Sequence, residues 1–175
     1  MGEEREESFI DGSCDVILDT AKAVYDEEID RFKQTEAKTN ITLAFVGVLF
    51  GAYLTYLSAF KLPIKEISYL VYTVLFKAAV FTCYITSIFY FLKAINTGKY
   101  EQVNLDEVAS ESYAKQDAEI TKLRIAFSYR DIVSRNRDVL EGKLKSYRIG
   151  LYIMTCGFIA FAIHFLIEEV IRHVG

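Results

Sequence analysis

A few charged and polar residues stand inside otherwise apolar stretches, and they are the first candidates for chemistry. Lys77 lies near the middle of a run that contains no other charge. A charge at such a position is costly unless it faces protein or water. Thr73, Tyr84 and Ser87 recur on the same helical face. One interpretation is a stripe that lines a pore or a gate, and the other is that Lys77 snorkels or pairs with a neighbouring helix.

The last apolar stretch carries a second group of candidates. His164 and Glu168 lie one helical turn apart, and Arg172 follows one turn later. A histidine next to a carboxylate inside an apolar helix could be a proton-sensitive element or part of an ion site. The alternative is that Glu168 lies at the outer boundary of the stretch and pairs with Arg172 at a spacing of four residues. We favour this local pair.

A third group combines cations with aromatic rings between residues 120 and 140. Arginine forks suit phosphate groups and aromatic rings stack on bases, which predicts a nucleotide or a short single-stranded oligonucleotide as ligand. The alternatives are a solvated basic face, pairing with the acidic N-terminal helix, or contact with anionic lipid. The candidate ligand-binding residues are Lys122, Arg124, Tyr129, Arg130, Arg135 and Arg137, which surround Phe127. Lys143, Lys145 and Arg148 come next to the last apolar stretch and are predicted to be positive-inside residues.

The chain lacks the patterns of an enzyme. It contains no phosphate loop, no glycine-rich nucleotide motif, no metal-ligand spacing and no nucleophile–base pair, and its two histidines both lie near the end. The three cysteines are far apart and make neither a disulfide framework nor a metal site. The net charge of −4 argues against duplex nucleic acid as a partner. We therefore expect no catalytic activity, no metal and no cofactor.

The elements that must position these residues follow from the way the sequence is divided. Hydrophobic residues make up 52% of the chain and charged residues 25%, and the two classes occur in separate blocks. Three blocks, residues 41–60, 67–92 and 149–167, are long enough to cross a bilayer. The expected fold is an all-α membrane protein with three transmembrane helices and long cytosolic helical extensions. Its segments are a cytosolic amphipathic helix (1–40), a transmembrane hairpin (41–95), a cytosolic helical region (96–148) and a third transmembrane helix with an outer tail (149–175).

The helix boundaries and the orientation can also be predicted. The N-terminal helix should run straight into the first span, and Asn96-Thr97-Gly98 should end the second. A further helix should start near Asn104 or Ser110 and meets no helix breaker before Gly142. Lysine and arginine are concentrated before the first span and between the second and third. This bias places the N-terminus of a multi-pass membrane protein in the cytosol.

The residues that lead into the first span carry a resemblance to a known class of protein. The segment Tyr25 to Asn40, YDEEIDRFKQTEAKTN, resembles the pre-membrane helix of small bacterial membrane effectors that are encoded beside nucleotidyltransferases in anti-phage defence, the SLATT-like and Hailong-type effectors. The resemblance extends over the hairpin and the long cytosolic helix. It implies an oligomeric channel of the cell inner membrane whose opening is controlled by a nucleotide or oligonucleotide made by a nucleotidyltransferase partner. We expect a homo-oligomer, with a tetramer favoured.

A second function fits the same residues. The protein could be a non-conducting membrane anchor or scaffold that recruits a soluble partner through its cytosolic helices. The two hypotheses differ in what they require of Lys77: a channel needs its charge, and a scaffold needs only the surface of the cytosolic helix.

Overall fold

The computed structural model of the protein describes residues 11–59, 67–104, 111 and 115–174. Within these residues the fold is all-α, with three long helices: α1 (Asp11–Ser58), α2 (Ile67–Asn96) and α3 (Ala118–Val174). Each contains a segment that is long and apolar enough to cross a membrane. The prediction of an all-α chain with three candidate membrane-spanning helices is confirmed.

The long helices form because the chain offers few places for them to stop. The only proline, Pro63, lies outside the described residues, so nothing removes a backbone donor inside α1 or α3. As predicted, α1 continues without interruption into the first apolar block. The end of α2 is also as predicted, because Gly98 has a φ of 61°, the left-handed conformation that commonly terminates a helix. A Cβ atom at Gly98 would lie 2.6 Å from Cγ1 of Val139, which adds a steric reason for glycine.

The start of α3 differs from the prediction. Asn104 is not helical and Ser110 lies outside the described residues. Glu111 is helical, but residues 115–117 interrupt the helix that was predicted to run on to Gly142. The helix begins at Ala118 because Asp117 caps it: the Asp117 carboxylate accepts a hydrogen bond from the backbone N–H of Glu119 at 2.9 Å. Gly142 does not break the helix, which continues into the third apolar block.

The chain forms two compact units. Unit 1 comprises Met1–Gln34 and Gly98–Glu141, and unit 2 comprises Thr35–Thr97 and Gly142–Gly175. In unit 1, Asp15 pairs with Lys122 at 2.7 Å, and the ring centroids of Tyr25 and Tyr129 lie 5.0 Å apart. These contacts occur in the same order along both helices, so α1 and α3 run parallel here.

Unit 2 is a bundle of three helices. α1 and α3 again run parallel, as the 3.3 Å contact between the hydroxyls of Thr42 and Tyr147 shows at one end and the hydrogen bond between Tyr56 and Glu168 at the other. α2 runs antiparallel to both and packs closely on α3, where a Cβ at Gly157 would lie 2.8 Å from Cβ of Cys83. Gly47 and Gly51 have no such neighbour within 4 Å in the described structure.

Unit 2 has an apolar core, but it also buries several polar side chains of α2 and exposes many large apolar residues. The buried face of α2 contains Thr73, Lys77, Tyr84 and Ser87, whereas large apolar residues such as Ile67 (79% exposed) and Leu75 (65% exposed) face outward. In the apolar 18-residue window of each candidate span, only 11%, 28% and 17% of the residues are buried. Such a surface suits hydrocarbon, because in lipid the apolar side chains have no reason to turn inward.

Candidate functional site

A cluster of charged side chains joins all three helices inside unit 2. Nζ of Lys77 on α2 lies 3.0 Å from Oε1 of Glu168 on α3. The same carboxylate accepts a hydrogen bond from the hydroxyl of Tyr56 on α1, and its Oε1 atom lies 3.2 Å from Nε2 of His164. We call Tyr56, Lys77, His164 and Glu168 the charged cluster. Three of its four members are among the residues that the sequence singled out.

The charged cluster is enclosed by protein. The side chains of Lys77 and Glu168 are 7% and 17% exposed, and that of His164 is 2% exposed. The Lys77 ammonium also lies 4.6 Å from the centroid of the Tyr56 ring, a distance at which a cation is attracted to an aromatic face. Phe76 stacks on His164 with ring centroids 4.7 Å apart. The apolar and aromatic surroundings keep the attraction between the charges strong, because little solvent screens it.

Glu168 has a partner on another helix that the sequence analysis did not assign to it. Its carboxylate turns to Lys77 on another helix, and the side chain of Arg172 lies outside the described residues. For Lys77, the geometry matches the interpretation in which it pairs with a neighbouring helix. Sequence reasoning missed Tyr56, although a tyrosine near the end of an apolar helix, with charged residues at matching depth on its neighbours, is a usable signal.

The other members of the polar stripe lie inside the bundle. Thr73, Tyr84 and Ser87 all have 0% exposure. The Ser87 hydroxyl donates to the backbone carbonyl of Gly150 at 3.0 Å. The hydroxyls of Thr73 and Tyr84 have no hydrogen-bond partner among the described residues. The structure therefore places the stripe candidates of α2 on one face, and that face is directed into the interior of unit 2.

Lys143 has a different role from the one the sequence suggests. Its side chain is 2% exposed and its Nζ atom lies 2.9 Å from Oε1 of Glu36. It also donates to the backbone carbonyl of Ile95 at 3.1 Å. This carbonyl belongs to the last turn of α2, where the carbonyls have no partner in their own helix. Lys143 thus caps α2 from a neighbouring helix, a contact that sequence spacing alone does not reveal.

In unit 1 the six candidate ligand-binding residues do not share one surface. Lys122 lies 2.7 Å from Asp15 and 2.8 Å from Glu119. Arg135 pairs with Glu101 at 2.6 Å, and Tyr129 packs on Tyr25.

The remaining candidates are cations of α3 in different surroundings. Arg130 pairs with Asp131 at 2.9 Å and lies over the Phe127 ring at 5.0 Å. Arg130 and Arg137 line an apolar groove between α1 and α3, and Arg124 is exposed elsewhere on α3. Only these two of the six therefore belong to one cavity.

The other side of the α1–α3 pair in unit 1 is covered by the segment 98–104. Asn136, which is 1% exposed, holds this segment by donating to the carbonyl of Glu101 and accepting from its N–H, both at 2.9 Å. Tyr100 packs on Phe32 with ring centroids 4.9 Å apart. Burial, with the nearby Tyr25 second, raises the pKa of Tyr100 to about 12. The sequence analysis did not single out Asn136 or Tyr100.

Cys14 is the buried cysteine of unit 1. It is 2% exposed. Burial is the main cause that raises the pKa of its thiol, and the hydrogen bond to Glu119 raises this pKa further. Within the described residues, no group of three or more histidine, cysteine, aspartate or glutamate side chains could hold a metal ion.

Comparisons with models of protein families, with curated proteins and with solved structures found no match for this chain.

Proposed function

We propose that this protein is an oligomeric channel of the bacterial inner membrane, with its N-terminus in the cytosol, that is opened by a nucleotide or oligonucleotide signal in anti-phage defence. The main observation in favour of a channel is the charged cluster. Buried ionisable groups are rare in membrane-spanning helices and mark ion pathways, proton relays or gates when they occur. Here α2 supplies Lys77, α3 supplies His164 and Glu168, and a tyrosine of α1 joins them.

The polar stripe on α2, formed by Thr73, Lys77, Tyr84 and Ser87, supports an ion path next to the charged cluster. A buried hydroxyl without a partner costs roughly 1–3 kcal/mol, and the hydroxyls of Thr73 and Tyr84 are both in this state within the described structure. Water or a hydrated ion between the helices would satisfy them. In this proposal the Lys77–Glu168 pair holds the helices together in the resting state, and its separation opens the path along the stripe.

Control by a ligand rests on the continuity of the helices and on the resemblance noted from the sequence. α1 and α3 both begin in unit 1 and end in unit 2, so a ligand that changes the packing of unit 1 acts on helices that also form the bundle. The ligand class, the nucleotidyltransferase partner and the role in defence come from the resemblance.

Ion flux through proteoliposomes tests the channel. Purified protein is reconstituted into vesicles, and flux is recorded alone and with ATP, a cyclic dinucleotide or a short oligoadenylate. We expect flux above that of protein-free vesicles, altered by Lys77→Met but not by Lys93→Met, which removes an exposed cation from the same helix. No flux under any of these conditions would contradict the channel, and flux that no added nucleotide changes would contradict nucleotide control.

A membrane scaffold without conduction is the second candidate. It is favoured by the apolar groove in unit 1, because exposed apolar surface outside the candidate spans usually marks a site of protein contact. In that case Lys77→Met leaves the cellular activity intact, and changes that fill the groove abolish it. The two proposals thus predict opposite results for Lys77→Met.

A further inference from the structure

The groove in unit 1 has the size and chemistry of a protein-docking surface. Its volume is about 660 Å³. Val16 and Ile17 of α1 line one wall and are 65% and 45% exposed, and Phe127 of α3 lines the other and is 49% exposed. None of the described residues covers it, whereas the segment 98–104 covers another face of the same helix pair. An apolar surface of this kind outside the candidate spans calls for a protein partner.

Two arginines define what the partner must carry. Arg130 and Arg137 both line the groove, and since they lie seven residues apart their Cα atoms are separated by about 10.5 Å along α3. An occupant therefore needs acidic side chains spaced along its length beside small or apolar ones.

The outer face of α1 meets this requirement. Ala23 lies there between Asp19, Asp26 and Asp30, and all four residues are exposed. The described structure shows no ion pair for any of the three aspartates, so their charges are available to a partner. This face of α1 is acidic, whereas the groove carries two arginines, Arg130 and Arg137, beside one acidic residue, Asp138.

The acidic residues of α1 and the two arginines of the groove also lie at similar heights along the helices. The rings of Tyr25 and Tyr129 are in contact, so the next residues, Asp26 and Arg130, lie at the same height along the parallel helices. A ring of copies whose axis runs along these helices keeps every residue at its own height. Asp26 of one copy then meets Arg130 of the next. Asp30 lies about 6 Å and Arg137 about 10.5 Å further along, a difference that an arginine side chain spans.

We propose that the groove of unit 1 receives the outer face of α1 from a second copy of this chain, with Asp26 and Asp30 of one copy paired to Arg130 and Arg137 of the other. The interface is heterologous, since groove and acidic face are different surfaces, and such an interface closes into a ring. It rests on the oligomeric state in the proposed function and adds the surfaces that form the oligomer.

A charge exchange tests the interface. The full-length protein is purified in nanodiscs and its particle mass is measured. Arg130→Asp with Arg137→Asp should shift the mass toward the monomer, and so should Asp26→Arg with Asp30→Arg. The variant with all four changes should restore the oligomer, because the pairs are re-formed with reversed sign. Arg124→Asp, which reverses an exposed cation of α3 outside the groove, should leave the mass unchanged.

Cross-linking between chains gives an independent measurement. With the native cysteines replaced, protein carrying Ala23→Cys is mixed with protein carrying Phe127→Cys, a groove residue at the same height along the helices, and oxidised. We expect a disulfide-linked dimer between the two kinds of chain, with at least tenfold lower yield when Arg130 and Arg137 are reversed. The yield should not depend on added oligoadenylate, and a ligand that abolishes it at saturation would make a nucleotide the occupant and overturn the proposal.

The outcomes separate this interface from the channel. An oligomer that survives both double reversals, or a four-fold variant that is helical but monomeric, overturns the interface and leaves the channel proposal standing. A monomeric wild-type protein overturns both. Restoration by charge exchange in a protein that passes no ions supports the interface and contradicts the channel.

Discussion

Replacing Lys77 by methionine gives the sharpest test of the charged cluster. The substitution keeps the length of the side chain and removes its charge, so Glu168 loses a partner at 3.0 Å. Removing one member of a buried ion pair typically costs 3–5 kcal/mol, because the other charge stays buried without compensation. Glu168 keeps the hydrogen bond from Tyr56 and the contact with His164. We therefore expect a loss near the lower limit, roughly 3 kcal/mol of unfolding free energy.

A double-mutant cycle isolates the pair. Glu168→Gln alone leaves the Lys77 ammonium buried and should cost a similar amount. The combined variant removes both charges and keeps an amide that can accept the Tyr56 hydrogen bond, so its cost should be within about 1 kcal/mol. The coupling free energy between the two sites is then several kcal/mol, well above the values typical of exposed ion pairs. Lys93→Met, an exposed change on the same helix, should stay within about 0.5 kcal/mol.

The measurement is the unfolding free energy in lipid–detergent micelles, followed by circular dichroism during titration with a denaturing detergent. If each single variant cost less than about 1 kcal/mol and the double variant equalled their sum, the two side chains would not be paired in the folded protein. The reasoning from buried charge would then be refuted, and the gate built on it would lose its basis.

Three further predictions concern contacts that hold each unit together. Asn136→Ala leaves two backbone groups of the 98–104 segment without partners and should cost roughly 2–4 kcal/mol, with faster amide exchange in that segment measured by mass spectrometry. Lys143→Met should lower the unfolding free energy by roughly 1–3 kcal/mol, while the exposed Lys145→Met should change it by less than about 0.5 kcal/mol in the same micelle titration. Because its pKa is raised, the Cys14 thiol should react slowly with maleimide near neutral pH and faster as the pH rises, measured in protein without the other two cysteines. Glu119→Gln removes a group that raises this pKa and should therefore speed the reaction. An unchanged rate would contradict Glu119 as a cause of the raised pKa.

The helices could be predicted from the sequence because their signals are local. An uncharged block of sufficient length and a glycine such as Gly98 act on the chain where they stand. The start of α3 at Ala118 also depends on a local signal, the cap at Asp117, but this cap was not recognised in the sequence. A helix that continues through Gly142 shows that one glycine costs only about 1 kcal/mol, which packing on both sides readily offsets.

The partners inside the bundle could not be predicted, because they depend on how helices are matched in depth. A spacing of four residues pointed to Arg172, whose side chain lies outside the described residues, and it did not reveal that Lys77 on another helix contacts Glu168. Lys143 shows the same difficulty, since its position near an apolar block predicted only a positive-inside residue, and the structure buries its side chain against α2. Local spacing identifies which residues are unusual, and only the register between helices decides what they bind.

The polarity of unit 2 gives a reason to connect these buried groups with activity and not with stability alone. Apolar residues of similar volume in place of a buried ion pair are often neutral or stabilising, so a bundle selected only to hold together has no need of Lys77 and Glu168. The variant that removes both charges therefore separates the two roles. If it folds as well as the natural protein but passes ions without regulation, or passes none, the cluster serves the gate. If it folds and conducts as before, the charged cluster has no part in conduction, and the surface of unit 1 becomes the place to look for function.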